Sequence, residues 1–173
     1  IHRLNERPTR HAVLGDITRE TTDAIVNAAN TGLAAGGGVC GAIHRAAGPD
    51  LARACQVLGK CETGGARITP GFNLSARYVI HAVGPVWQGG NANEAELLAS
   101  CYRASLELAA DYRLESLAFP CIGTGIYGYP IQEATEIALR TVRQQVPRHP
   151  GIELVRFVCF TEGDFEVYRA LVP

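Results

Sequence analysis

Methionine is absent from the 173 residues, tryptophan occurs once, and Lys60 is the one lysine among sixteen basic residues. Charge is sparse at 19%, and the formal net charge is −1 with a pI near 6.6. That balance excludes a protein built to grip nucleic acid through a broad basic surface, and no sequence-specific nucleic-acid binding is expected. A single nucleotide remains within reach, because backbone N–H groups hold phosphate without lysine or arginine. No run approaches the roughly 18 apolar residues of a membrane span, so no membrane partner is expected. No secretory signal pattern stands at the start, and a cytoplasmic protein is the expectation. No G-x-x-x-x-G-K-[ST] occurs, which excludes a P-loop nucleotidase. Six cysteines are present, but none forms C-x-x-C and none has zinc-finger spacing with histidine. Reduced thiols are therefore expected, with no metal and no cofactor.

Apolar residues make up 47% of the chain, enough for a substantial core and too many for disorder. The length suits one domain, residues 1–173. Apolar runs alternate with helical patterns. Strands are predicted at His11–Ile17, Ala24–Ala28, Ala66–Thr69, Tyr78–Val83, Leu117–Ile122 and Leu154–Phe160. Helices are predicted at Gly41–Ala47, Asp50–Leu58, Asn93–Tyr112, from Pro130 onward, and at Phe165–Leu171. On the long helix, Leu98, Cys101, Tyr102, Leu108, Ala109 and Tyr112 form the apolar stripe. Glu94, Glu96, Arg103, Glu107 and Asp111 suit its solvated face. Gly89–Asn93 reads as a mobile surface loop. The alternation implies an α/β domain with a largely parallel sheet. Ligands of such sheets bind beyond the strands' carboxyl ends, here after Ile17, Ala28, Ile122 and Phe160.

Glycine is abundant, 19 residues, and clusters in two loops. The first, Thr31–Cys40, carries Gly36, Gly37 and Gly38 ahead of a helix, where bare N–H groups favour an anion. The second, Gly123-Thr-Gly-Ile-Tyr-Gly128, matches G-x-G-x-x-G. A Rossmann site is rejected, because the motif lies late in the chain and no acid follows about 20 residues on to hold a ribose. Two such loops at one sheet edge suggest a clamp for two linked phosphates. Neither loop carries an acid, which argues against an obligatory magnesium nucleotide. Asn27 and Asn30 can bind sugar hydroxyls. Asp16 is either a turn cap or an acceptor for an exocyclic amine. Phe160 is either core or a stacking surface for a base. His44 and His81 sit in apolar surroundings and read as structural.

Taken together, Gly15-Asp-Ile-Thr18, NAANTGLAAGGGVCGAIHRAAGP (Asn27–Pro49), HAVGP (His81–Pro85), FPCIGTGIYGYP (Phe119–Pro130) and Phe160 resemble the macrodomain family, most closely its MacroD-type branch of ADP-ribosyl hydrolases. The resemblance covers nearly the whole chain. It implies a three-layer α-β-α fold around a six-stranded mixed sheet. It implies ADP-ribose and ADP-ribosylated proteins as partners, with the oligomeric state open. It implies removal of mono-ADP-ribose from acidic side chains, and action on O-acetyl-ADP-ribose. The alternative is a reader that binds ADP-ribose without cleaving it.

By matching position, Asp16 and the adjoining Ile17 would meet the adenine, with Phe160 packed on it. Gly37, Gly38 and Val39 would cradle one phosphate. Gly123, Thr124, Gly125, Ile126 and Tyr127 would cradle the other. Asn30 would contact the distal ribose and Tyr127 would shape the pocket around it, so that Asn30, Gly125 and Tyr127 carry catalysis. MacroD-type chains have Asp directly after GGGV. Here that position is Cys40, either a pocket-lining residue or a nucleophile whose thiol pKa a helix N-terminus would lower, and the change puts in doubt any mechanism needing a carboxylate base.

Overall fold

The computed structural model describes residues 9–172. Six strands, β1 (Thr9–Leu14), β2 (Ala24–Ala28), β3 (Ala66–Pro70), β4 (Tyr78–Ala82), β5 (Ser116–Phe119) and β6 (Leu154–Cys159), form one sheet in the order β1-β6-β5-β2-β4-β3. All pairs are parallel except β3–β4, whose antiparallel register sets Ile68 opposite Ile80. The sheet is therefore mixed, as expected. Pro70 has no N–H to donate, and it is tolerated because β3 is an edge strand.

Five helices cover both faces: α1 (Gly38–Ala47), α2 (Pro49–Leu58), α3 (Glu94–Asp111), α4 (Ile131–Gln145) and α5 (Glu162–Leu171). One face of the sheet packs on α3, α4 and α5 through Val26, Ile80, Leu98, Tyr102, Ala138 and Tyr168. The other packs on α1 and α2 through Ile25, Val79, Ile43, Leu51 and Cys55. Ile25 and Val26 are adjacent and go to opposite cores, as the twofold alternation of a strand requires. These are the three layers.

Several boundaries differ from the sequence reading. The first strand stops at Leu14 instead of Ile17, because Asp16 caps a 3₁₀ turn at Ile17–Arg19 and pulls the chain out of the sheet. β5 stops at Phe119 instead of Ile122, since Pro120 interrupts the ladder. β6 stops at Cys159, and Phe160 turns outward. α1 begins three residues earlier than predicted, at Gly38, and Asn93 is a left-handed cap outside α3 rather than its first residue. α5 begins at Glu162 because the Thr161 side chain accepts a hydrogen bond from the Asp164 N–H.

Glu94 is a larger correction. It does not face solvent but is 1% exposed, and its carboxylate accepts hydrogen bonds from the N–H groups of Gln88, Gly90 and Ala92 at 2.8, 2.9 and 2.6 Å. The segment read as a mobile loop is thus fastened from beneath. Tyr112, expected in the stripe, is exposed and meets Tyr78 edge-on, while Leu106 and Ser105 are buried instead.

Candidate functional site

A cleft of about 790 Å³ opens at the carboxyl ends of β1, β6, β5 and β2. The strand order turns here, which is where parallel sheets leave a crevice. All thirteen residues expected at the site line this one cleft: Asp16, Ile17 and Phe160; Asn30, Gly37, Gly38, Val39 and Cys40; and Gly123, Thr124, Gly125, Ile126 and Tyr127. Asn27 does not.

At one end Asp16 resolves its two readings by serving as a cap with half of its carboxylate. Oδ1 accepts from the Thr18 N–H at 2.9 Å and the Thr18 hydroxyl at 2.7 Å. Those two bonds hold the Asp16 carboxyl below its ordinary pKa, so it is ionised. Oδ2 has no protein partner among the described residues. Phe160 is 84% exposed, which removes the core reading and leaves an unpaired aromatic face beside Asp16.

The middle of the cleft is main chain. Gly37 caps α1, and the N–H groups of Gly38, Val39 and Cys40 donate to no acceptor among the described residues. Gly38 has φ +57°, a left-handed conformation that favours glycine. Gly41 is fixed by crowding, since a Cβ there would stand 2.5 Å from the Gly36 carbonyl oxygen. In the second loop the amides of Gly123 to Tyr127 likewise have no acceptor among the described residues, while Tyr129 N–H ties back to the Gly123 carbonyl at 2.9 Å. Two runs of bare amides, one at a helix N-terminus, make a strong anion cradle.

At the other end the Asn30 amide is locked both ways onto Ala34, donating to its carbonyl at 2.9 Å and accepting from its N–H at 3.0 Å. One N–H and one lone pair stay free for a ligand. Cys40 is nearly buried, and its thiol faces the Ala34 carbonyl and the Asn27 amide, each at 3.6 Å.

Asn27 ends up behind this wall. Its Nδ2 lies 3.2 Å from His81 Nδ1, and His81 Nε2 lies 3.0 Å from the Thr69 hydroxyl. With the amide donating, the ring holds its proton on Nε2 and donates it to Thr69. Burial pushes His81 down to about 4, with the neighbouring His44 adding to the shift. His81 is therefore structural, as expected, and the sugar-binding reading of Asn27 fails because strand alternation turns its side chain into the α1–α2 core.

The sequence reading missed Arg45, Gly84 and Asp164, all of which line the cleft. Gly84 carried a signal in HAVGP: a Cβ there would press on Ile122 at 2.9 Å. Asp164 carried one in the Thr-x-x-Asp spacing of a helix start. Arg45 carried none. Among the described residues no group of three His, Cys, Asp or Glu side chains is arranged to hold a metal, all six cysteines are free thiols, and no helix is long and apolar enough to cross a membrane.

Comparison with known proteins gives a consistent picture. The Macro domain family model matches residues 26–138. A Macro domain-containing protein of Chlorobaculum tepidum is 60% identical over 92% of each chain. A protein of Cronobacter turicensis named O-acetyl-ADP-ribose deacetylase is 52% identical over 94% of each chain. The structure of a Trypanosoma brucei macrodomain in complex with ADP-ribose superposes with a TM-score of 0.88 at 44% identity, covering 94% of this chain and 69% of that one.

Proposed function

The chain belongs to the Macro domain family, and on that premise we propose that its cleft binds ADP-ribose and hydrolyses mono-ADP-ribose esters of acidic side chains. The observation that carries the binding reading is the double row of unpartnered amides, Gly38–Cys40 facing Gly123–Tyr127, between an ionised carboxylate with an exposed phenyl ring and a fixed asparagine. That sequence of groups matches adenine, diphosphate and ribose in order.

Hydrolysis follows from what surrounds the ribose end. Water attacks the distal ribose carbon, the bond to the ester oxygen breaks, the acyl carboxylate leaves with the bonding pair, and the water's extra proton passes to solvent. Positive charge develops on the ribose carbon. A diphosphate gripped by both loops supplies negative charge beside it and an oxygen that holds the water. Asn30 orients the ribose, and Tyr127 and Gly125 shape the space around it. The same site takes O-acetyl-ADP-ribose, the ester named for the Cronobacter relative. Two observations favour the reader alternative: no carboxylate stands at Cys40, and the Cys40 thiol is turned onto Ala34 and Asn27.

The test is release of free ADP-ribose from a protein modified on acidic residues. Asn30→Ala should lose most of the activity while Cys40→Ala keeps most of it. Serine-linked ADP-ribose should remain largely intact, since an alkoxide leaves poorly without an acid. Binding without any release would establish the reader, and failure to bind ADP-ribose at micromolar protein would end both readings.

A further inference from the structure

Three charged side chains line the cleft, Asp16, Asp164 and Arg45. Asp16 follows β1 and Asp164 lies in the first turn of α5, just after β6. Arg45 lies on α1, which follows β2.

The guanidinium is located by the first glycine loop. Arg45 Nη1 is 3.0 Å from where a Cβ on Gly41 would stand, the same point that lies 2.5 Å from the Gly36 carbonyl oxygen. A Cβ on Gly36 would in turn be 3.7 Å from Asn30 Nδ2 and 3.9 Å from Cys40 Sγ. Arg45 thus lies along the outer side of the first loop, one residue away from the pair that faces the ribose end. It is solvent-exposed and makes no ion pair with any described residue, which it shares with Arg19, Arg113, Arg140, Arg143 and Arg148, but of these it alone lines the cleft.

We propose that Arg45 is a specificity residue for the protein part of the substrate, engaging a carboxylate close to the modified side chain and so favouring ADP-ribosylated sites within acidic segments. The inference rests on the hydrolase reading, which puts the scissile ester at the Asn30–Cys40 end. Beyond that ester the ligand stops being nucleotide and becomes polypeptide, and the anions that a polypeptide offers there are Asp and Glu side chains and a terminal carboxylate. A guanidinium matches a carboxylate with two parallel hydrogen bonds.

The experiment uses two peptides of equal length, each with one ADP-ribosylated glutamate, flanked by Asp and Glu in one and by Asn and Gln in the other. The wild-type protein should cleave the acidic peptide with a kcat/KM about three- to fivefold higher, expressed in KM, as suits an exposed charge pair. The preference should vanish in Arg45→Ala, invert in Arg45→Glu, and shrink for the wild type in 0.5 M salt. Hydrolysis of O-acetyl-ADP-ribose, which has no peptide, and affinity for free ADP-ribose should stay unchanged in Arg45→Ala. Equal kcat/KM for the two peptides in the wild type overturns the proposal. So does a parallel loss of free ADP-ribose affinity in Arg45→Ala, which would make Arg45 a phosphate ligand. If neither peptide is cleaved, the hydrolase reading fails by itself, and the Arg45 preference is read from the two peptides' dissociation constants.

Discussion

The Cδ1 atom of Ile126 lies 3.6 Å from the point a Cβ on Gly37 would occupy, so the second loop reaches across the cleft to the first. Ile126 is nonetheless 85% exposed. A large apolar side chain thus stands in water above the anion cradle.

Ile126→Ala should therefore speed release of ADP-ribose while leaving thermal stability untouched. If the ligand covers Ile126, losing that apolar area costs about 1–2 kcal/mol of binding. Stopped-flow dissociation should show a rise in koff of about five- to thirtyfold. An unchanged koff would mean that the loops do not close on the ligand.

Gly125→Glu should abolish ADP-ribose binding and leave the melting temperature within a degree or so of wild type. Nothing lies within 4 Å of a Cβ at this position, so the fold has room for a side chain. A carboxylate there stands where the diphosphate would lie. Calorimetry and thermal melting on the same sample separate the two effects.

Asp16→Ala should weaken ADP-ribose binding by about 1–3 kcal/mol, the value of a hydrogen bond to a charged group. Asp16 also caps the turn at Ile17–Arg19, so the melting temperature should fall slightly. Asp16→Asn keeps the capping oxygen and should restore the melting temperature but not the affinity. Recovery of affinity in the Asn variant would show that the charge is not used.

Much of this site was legible in the sequence because its parts are glycines in fixed order, and a glycine loop between a strand and a helix has few uses. Both loops were found on that ground, whereas Asp16 and Asn30 stood out by their places near strand ends and took their roles from the family resemblance. What escaped was set by contacts between distant segments. Glu94 looks like any first-turn acid, and only the three N–H groups of Gln88, Gly90 and Ala92 gathered around it reveal a buried anchor. Asn27 and Asn30 look equivalent in NAAN, yet Asn27 lies within β2, where alternation sends it inward, while Asn30 lies beyond the strand's end. Arg45 is one of fifteen arginines, and its place in the cleft beside the first loop is a three-dimensional fact.

Glu94→Gln should loosen the segment from Gln88 to Ala92. Its three N–H donors hold the Glu94 carboxyl below its ordinary pKa, the Gln88 bond contributing most. A carboxylate with a depressed folded pKa adds stability above its unfolded pKa and loses it as pH falls through the folded one. Hydrogen exchange at Gln88, Gly90 and Ala92 should accelerate in the variant at neutral pH, and in the wild type only under acid. No acceleration in the variant would mean that the loop is held by other contacts.

His81 makes the protein acid-sensitive. Its folded pKa of about 4 lies below the unfolded value of about 6.5. Between these values the unfolded chain binds the proton and the folded one does not, so stability falls as pH drops through that window and levels off below it. The full loss is on the order of 3 kcal/mol. Melting temperatures from pH 7.5 to 4.5 should decline, and the decline should be smaller in His81→Gln. An identical slope in both proteins would assign the acid sensitivity elsewhere.

The central part of the cleft, from Gly38 to Cys40 and from Gly123 to Tyr127, faces its ligand with backbone. Backbone amides are the same whatever residue bears them, so substitution has almost no grip on the grasp of the diphosphate, short of inserting bulk. Divergence is left to the two ends, Asp16 and Phe160 at one and Asn30, Cys40 and Arg45 at the other. A side chain such as Cys40 after GGGV alters one end of the cleft and leaves the row of backbone amides as it was, and in that sense the fold separates the constant part of the site from the part that can be tried.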